Sequence, residues 1–443
     1  MITAASSIVV DWRPWESGVP TTATRSLQRL RGPVVTTGGC VGVTFVNDGS
    51  PTSGPAPVTS GGLLSDHCYR WRLRLTDSSG NVATALSDRV LVDSTPPEVA
   101  FTRPGAAFGW TGTTALVEWV EHEDGSGVAS RSLQRQRASP SAAGSCAGAA
   151  WVDDGAAWTG DGAVGPTASS VRVADLEHGS CYRWSLKVAD RAGHVVGPVL
   201  SGALLVDVAA PRVGAPGARL EEGVRLPSNG DVPVILEWSA SDDSGLVPVI
   251  DLERHDGAAW ATVDGAGDPP ADPVSPFKLF VAPTEPTTFA VRGRDAAGNR
   301  SAWAMSPTYT TTRVESTKPA IRWSGTWTTV TSSEASGGSF RTTTARGSRA
   351  TLGFTGRAIG WITSIGPTRG RARLFLDGVY VRTVDLYASQ ASLRRIFVIV
   401  AGPATATHTL EIRVPGTDGR PRIDVDAFQV VSASAAAPSP PPR

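Results

Sequence analysis

No stretch of the chain approaches the roughly 18 consecutive apolar residues of a membrane-spanning helix; the longest candidate is the short run Ile396 to Ala401. No membrane span is expected. Neither charge is in excess, since 41 basic residues face 41 acidic ones. The chain therefore lacks the basic surplus that marks nucleic-acid binding, and no nucleic-acid partner is expected. The start, Met1-Ile2-Thr3-Ala4-Ala5-Ser6-Ser7, has neither a basic region nor an apolar one, so no secretory signal is visible. Lysine is nearly missing: Lys187, Lys278 and Lys318 are the only three, a bias of base composition rather than of function. What abounds is glycine and proline, 48 and 33 of 443 residues. That density argues against helix bundles and doubly wound sheets and for an all-β chain of several domains. The charge balance is also uneven. Residues 1–318 carry 26 basic against 34 acidic residues, and 319–443 carry 15 against 7.

The sequence repeats. Cys68-Tyr69-Arg70-Trp71-Arg72-Leu73 runs to Asp77-Ser78-Ser79-Gly80-Asn81, and 113 residues later Cys181-Tyr182-Arg183-Trp184-Ser185-Leu186 runs to Asp190-Arg191-Ala192-Gly193-His194. A third copy, Thr288-Phe289-Ala290-Val291 to Asp295-Ala296-Ala297-Gly298-Asn299, lacks the cysteine. Upstream of each lies an apolar strand ending in Trp12, Trp119 or Trp238, followed by Leu27-Gln28-Arg29, Leu133-Gln134-Arg135 or Leu252-Glu253-Arg254. Prolines close the units at Pro96-Pro97, Pro211 and Pro319, where the missing N–H stops a ladder. Within a unit the period is two: Tyr69, Trp71, Leu73 and Leu75 share one face, and Arg70, Arg72 and Arg74 the other. The Asp-x-x-Gly-Asn segment predicts a hairpin turn in which Gly80, Gly193 and Gly298 supply a positive φ. Units of this length built of short strands predict β-sandwiches. They resemble bacterial immunoglobulin-like or fibronectin type III-like repeats over residues 1–318, a resemblance that implies spacing or adhesion outside the cell.

Each of the first two units holds one pair of cysteines, Cys40 with Cys68 and Cys146 with Cys181, equivalently placed. Two intradomain disulfides and an oxidising compartment follow. A zinc site is the competing chemistry, but no Cys-x-x-Cys is present. Ahead of Trp12 there are only 11 residues, against 21 between Pro97 and Trp119, room there for a first strand such as Val99-Ala100-Phe101. The first sandwich is thus expected to lack its opening strand, with the export signal lying upstream. The expected domains are sandwiches at 1–97, 98–210 and 211–318, a fourth domain at 319–432, and an extended or disordered Ala/Ser/Pro-rich tail at 433–443.

Residues 319–432 break the repeat and read as eight or nine strands, which predicts a jelly roll. Arg371 to Leu376 and Val379 to Leu386 flank Asp377-Gly378, a two-residue hairpin signal. Thr409 to Val414 and Ile423 to Val430 are expected to pair across the loop holding Asp418-Gly419. Trp323-Ser324-Gly325-Thr326-Trp327, Ala335-Ser336-Gly337-Gly338-Ser339, Gly366-Pro367-Thr368-Arg369-Gly370, Leu376-Asp377-Gly378, Thr383-Val384-Asp385-Leu386-Tyr387, His408-Thr409-Leu410 and Asp424-Val425-Asp426-Ala427-Phe428 follow in order. This series resembles the galactose-binding-like, carbohydrate-binding-module-like jelly roll at the ends of exported bacterial proteins, which implies glycan binding by analogy of fold. The loop Gly416 to Pro421 is shorter than that likeness would have it.

The residues permit sugar binding independently, because a pyranose offers an apolar face to an aromatic ring and hydroxyls to planar polar groups. The candidates are Trp323, Trp327, Trp361, Arg369, Tyr380, Asp385 and Tyr387; core packing is the competing role for any of the tryptophans. Asp424 and Asp426 flank Val425 on one strand face, where they could share Ca²⁺ or simply be solvated. The local basic excess points to a polysaccharide or cell-wall glycan of acidic character. No other cofactor is expected. Catalytic signatures fail: Gly160-Asp161-Gly162-Ala163-Val164-Gly165 is followed by Pro166 and opens no helix, the six histidines are scattered singly, and no Gly-x-Ser-x-Gly elbow occurs. The expectation is a monomeric, non-catalytic, exported or cell-surface protein, an immunoglobulin-like stalk presenting a carbohydrate-binding jelly roll. The alternatives are an accessory fragment of a larger secreted hydrolase and a purely structural stalk.

Overall fold

The computed structural model describes residues 1–13, 24–122, 125–155, 158–159, 169–263, 273–435 and 438–442; the Gly160 to Gly165 loop falls outside them. The regular structure of these residues is strand, apart from one 3-10 turn at Ser336–Gly338, so the fold is all-β. The chain divides into two compact units, Met1–Val208 and Ala209–Arg443.

The first unit holds two sandwiches of one plan. In the first, His67–Thr76 lies between Thr24–Pro33 and the strands Val82–Leu86 and Val90–Val92, and Ile2–Thr3 runs parallel to Val90–Val92. In the second, Cys181–Asp190 is flanked in the same way by Val128–Ala138, Val195–Leu200 and Leu204–Val206, with Gly109–Thr111 parallel to the last. The covering sheets differ. The second sandwich has three strands there, Ser170–Val173, Ala115–His122 and Glu98–Arg103, whereas among the described residues the first has two, Ser7–Val10 and Val58–Gly61.

The period-two pattern sets these faces: Tyr69 and Trp71 are buried while Arg74 is exposed. Each buried tyrosine satisfies its hydroxyl by accepting a backbone N–H five residues upstream, from Leu64 to Tyr69 at 2.7 Å and from Glu177 to Tyr182 at 3.1 Å. The disulfides Cys40–Cys68 and Cys146–Cys181 form as expected, with Cα–Cα distances of 5.7 and 5.9 Å. All three Asp-x-x-Gly turns close alike. Asp77 accepts the N–H groups of Ser79 and Asn81 and binds the Asn81 amide, Asp190 does this with Gly193 and His194, and Asp295 with Asn299. Gly80, Gly193 and Gly298 have φ of 88°, 98° and 93°, which a side chain would resist.

The second unit begins with the third repeat, whose sheets are Gly217–Leu220, Val232–Glu237 and Phe277–Val281 on one side and Trp260–Thr262, Val249–His255, Thr288–Arg294 and Ala304–Met305 on the other. Its neighbour, the jelly roll, has a five-stranded sheet in the order Ile321–Ser324, Arg349–Gly356, Ala406–Arg413, Arg371–Leu376, Val379–Asp385. Facing it is a four-stranded sheet in the order Thr308–Glu315, Ala427–Ser434, Ala358–Ile365, Ser392–Val400. Thr308–Glu315 precedes the boundary expected at 318/319, yet it pairs along its length with Ala427–Ser434. The core is shared as well: Leu226, Val232, Leu236 and Phe289 of the repeat pack in one cluster with Ile362, Ile396, Ala427 and Val431 of the jelly roll. The described tail is not free either, for Trp260 Nε1 donates to the Ser439 carbonyl at 2.9 Å and Pro441 is buried.

The Asp377-Gly378 hairpin forms, with both residues at positive φ. The expected pairing of 409–414 with 423–430 does not. Ala406–Arg413 is an interior strand of the five-stranded sheet, bonded on one edge to Arg349–Gly356 and on the other to Arg371–Leu376. Leu410 and Ile412 of that strand are fully buried, and the chain crosses after it to other sheets, where Ile423–Val425 pairs with Ser339–Thr343 and Ala427–Ser434 with Ala358–Ile365.

Candidate functional site

At one end of the five-stranded sheet, the loops following Ala358–Ile365, Val379–Asp385 and Ala406–Arg413 are laced together by backbone bonds. Gly366 N–H donates to Leu386 O, Leu386 N–H to Gly370 O, and Gly370 N–H to Arg422 O, at 2.9–3.0 Å. Gly370 is required by this approach, because a Cβ there would lie 2.1 Å from the Arg420 carbonyl oxygen.

Asp385 sits at the centre of this end. Arg420 Nη1 donates to its Oδ1 and Arg371 Nε to its Oδ2, each at 3.0 Å, and Tyr387 N–H also reaches Oδ1 at 3.0 Å. Arg420 above all, then the Tyr387 amide and Arg371, holds the Asp385 carboxyl far below the usual carboxylate range. The Arg420 guanidinium also lies over the Tyr387 ring, 4.8 Å from its centroid, while Tyr387 itself is 57% exposed. A solvent-exposed aromatic ring, stacked upon by Arg420, thus stands beside a carboxylate and a second guanidinium group.

Of the seven candidate ligand residues, the structure gathers Asp385, Tyr387 and Arg369 at this end. Arg369 is engaged: its Nε contacts Asp424 Oδ2 at 3.3 Å and Ser364 Oγ at 3.0 Å, so it fixes the loop rather than facing a ligand. Tyr380 is 52% exposed on the same edge strand, edge-on to Phe375. Trp323 and Trp327 pack edge to face at 4.9 Å on the opposite edge, partly buried against the core, with Arg341 over the Trp323 ring at 4.7 Å. Trp361 is a correction. It is wholly buried in the core beside Phe397 and offers no face to a ligand, because its strand, Ala358–Ile365, is an interior one.

The carboxylate pair proposed for Ca²⁺ is a second correction. Asp424, 1% exposed, is neutralised by Arg369 and by Arg422 Nε at 2.9 Å and accepts from Ser364 Oγ. Asp426, equally buried, takes the Ser336 N–H at 3.1 Å on Oδ2 and keeps Oδ1 unpaired. The acid beside it is Glu315, whose Oε2 is also buried without a partner. Burial first, and then the Glu315 charge, pushes the Asp426 carboxyl up to about 7 against the pull of the Ser336 amide, Arg394 and Arg313. Glu315 with Asp426, not Asp424, is the pair whose free oxygens could serve a hard cation.

In the first unit Asp93, Asp190 and His194 bring ligand-type atoms within 4.8 Å of one another. Their oxygens are taken: Asp93 accepts the N–H groups of Thr95 and Ser126, and Asp190 those of Gly193 and His194 together with His194 Nδ1. That cluster closes turns. Sequence reasoning missed Arg371 and Arg420. Arg420 comes from the short Gly416 to Pro421 loop, and the Gly419 turn before it was the available signal.

No family model and no curated protein matches the chain. Among solved structures it is similar to a family two carbohydrate esterase from Cellvibrio japonicus (11% identity, 28% of this chain and 34% of that chain, TM-score 0.24). It is similar also to the CBM36-1 domain of a multidomain xylanase from the hindgut metagenome of Trinervitermes trinervoides (13%, 28% and 99%, TM-score 0.22). A third likeness is to the chicken CNTN1 FN1-FN3 domains (11%, 69% and 94%, TM-score 0.27). The match spans about a third of the esterase chain. Scores this low carry no argument about function, which rests on the side chains.

Proposed function

We propose that this protein is a non-catalytic, exported or surface-displayed glycan-binding protein, in which disulfide-clipped sandwiches carry a jelly roll whose loop end binds carbohydrate. The observation that carries the reading is the Tyr387 ring, left open to solvent beside Asp385, Arg371 and Arg420. A pyranose stacks its apolar face on such a ring and presents its hydroxyls to the fixed carboxylate and guanidinium groups. The two disulfides support an oxidising compartment.

The test is a glycan array probed with the whole chain, since the jelly roll shares strand pairing and core with the third repeat. A retained glycan whose binding falls at least tenfold in Tyr387→Ala, with unchanged thermal unfolding, is the expected result. No retained glycan, or retention indifferent to Tyr387→Ala and Asp385→Ala alike, would end the proposal.

A further inference from the structure

On the outer face of the five-stranded sheet, the register sets Arg349, Arg413 and Arg373 side by side on three adjacent strands. Their neighbours in sequence, Ala350, Ile412 and Leu374, are fully buried, so the period of two turns all three arginines outward. The Arg349 and Arg413 side chains are 50% and 37% exposed, and Arg373 is exposed and has no ion-pair partner among the described residues. One acid answers them: Glu411, one row along, meets Arg349 at 3.7 Å and is bound by Arg413 Nε.

That next row continues through Phe375 and Tyr380, with the Arg413 guanidinium lying 3.7 Å from the Phe375 ring centroid. On the other side of the arginine row, one row along the strands, are Arg371 and Asp385. The loop end around Tyr387 and the arginine row are therefore one continuous surface.

We infer that this sheet face binds an extended acidic polysaccharide, a polyuronate whose successive carboxylates fall on Arg373, Arg413 and Arg349. The inference rests on the glycan-binding reading above and names its substrate class. Strands lie about 4.8 Å apart, close to the length of one sugar in an extended chain, so a polymer running across the strands meets one guanidinium per strand. The planar fork of arginine matches a carboxylate with two parallel hydrogen bonds, which a lysine cannot do. Glu411 decides between polyanions. Its carboxylate, one row from the arginines, accepts hydroxyl protons, which a sugar offers and a phosphate backbone lacks. Tyr380, 52% exposed, supplies apolar area for the sugar rings, the Phe375 ring being covered by the Arg413 guanidinium.

The experiment is titration of the whole chain with polygalacturonate oligomers, a neutral xylan oligomer, single-stranded DNA and inorganic polyphosphate, at low and at high salt. Polygalacturonate is expected to bind more tightly than the neutral oligomer at low salt and to lose that advantage at high salt. Arg373→Gln, which removes a residue that holds nothing else in place, should weaken polygalacturonate about tenfold, the worth of one charge-assisted hydrogen-bond pair. The same variant should leave neutral-glycan binding unchanged. Neutral glycan bound without preference for the uronate would overturn this inference and leave the proposed function standing, as would an unaltered uronate affinity in Arg373→Gln. DNA or polyphosphate bound as tightly as the uronate would overturn it in favour of an unselective anion surface. Failure of every glycan would remove both readings.

Discussion

The two units solve one problem in different ways. Among the described residues of the first sandwich the main buried cluster is Leu27, Leu63, Tyr69, Trp71, Val90 and Val92, and a disulfide lies beside it. The second unit has no cysteine, and its repeat and jelly roll instead merge into broad clusters that include Leu236, Phe289, Ile362, Ile396, Trp361, Phe428 and Ile412. Small cores bury too little apolar surface to offset chain entropy unaided, so a covalent clip makes up the shortfall; a fused pair of domains gains the same margin from area alone.

Three measurements sharpen that contrast, each read by hydrogen exchange so that the units report separately. The largest effect is expected from Trp361→Ala, which empties a wholly buried site and should cost the second unit about 3–5 kcal/mol while leaving the first unchanged. An equally large loss in both units would show that they do not stabilise themselves independently. Next, replacing Cys40 and Cys68 by serine opens a loop of 28 residues and should cost the first unit about 3–4 kcal/mol. Protection in the second unit should not change, and a matching loss there would break the comparison.

The smallest effect concerns Asp426. Its folded pKa, about 7, lies above that of the unfolded chain, so the folded state holds the extra proton between the two values. Stability from this group is therefore present at acid pH and lost as pH rises through 7. Between pH 5 and pH 8, with chelator present, the second unit should weaken by about 2–3 kcal/mol relative to Asp426→Asn. Parallel pH profiles for the two proteins would show that Asp426 is not held protonated.

Much of the fold could be read from local signals. The Asp-x-x-Gly turns, the Asp377-Gly378 hairpin and the buried Tyr69 and Trp71 each depend on residues a few positions apart, where the chain's own geometry decides the outcome. The cysteine pairs were legible because the repeat placed them equivalently twice. The site was less legible. Trp361 looked like Trp323 in sequence, and only its place on an interior strand separates the wholly buried ring from the partly buried one. Arg420 drew no attention in a short loop until that loop closed on Asp385.

Amino-acid order alone determined which side chains share a face of each strand, where the chain turns and which sulfurs meet, because period, turn chemistry and repeat are properties of neighbours in sequence. Which strands lie side by side was left to the tertiary structure. The alternation that turns Arg349, Arg373 and Arg413 outward is indifferent to partner, and only the sheet order brings those three guanidinium groups into one row beside Asp385 and Tyr387.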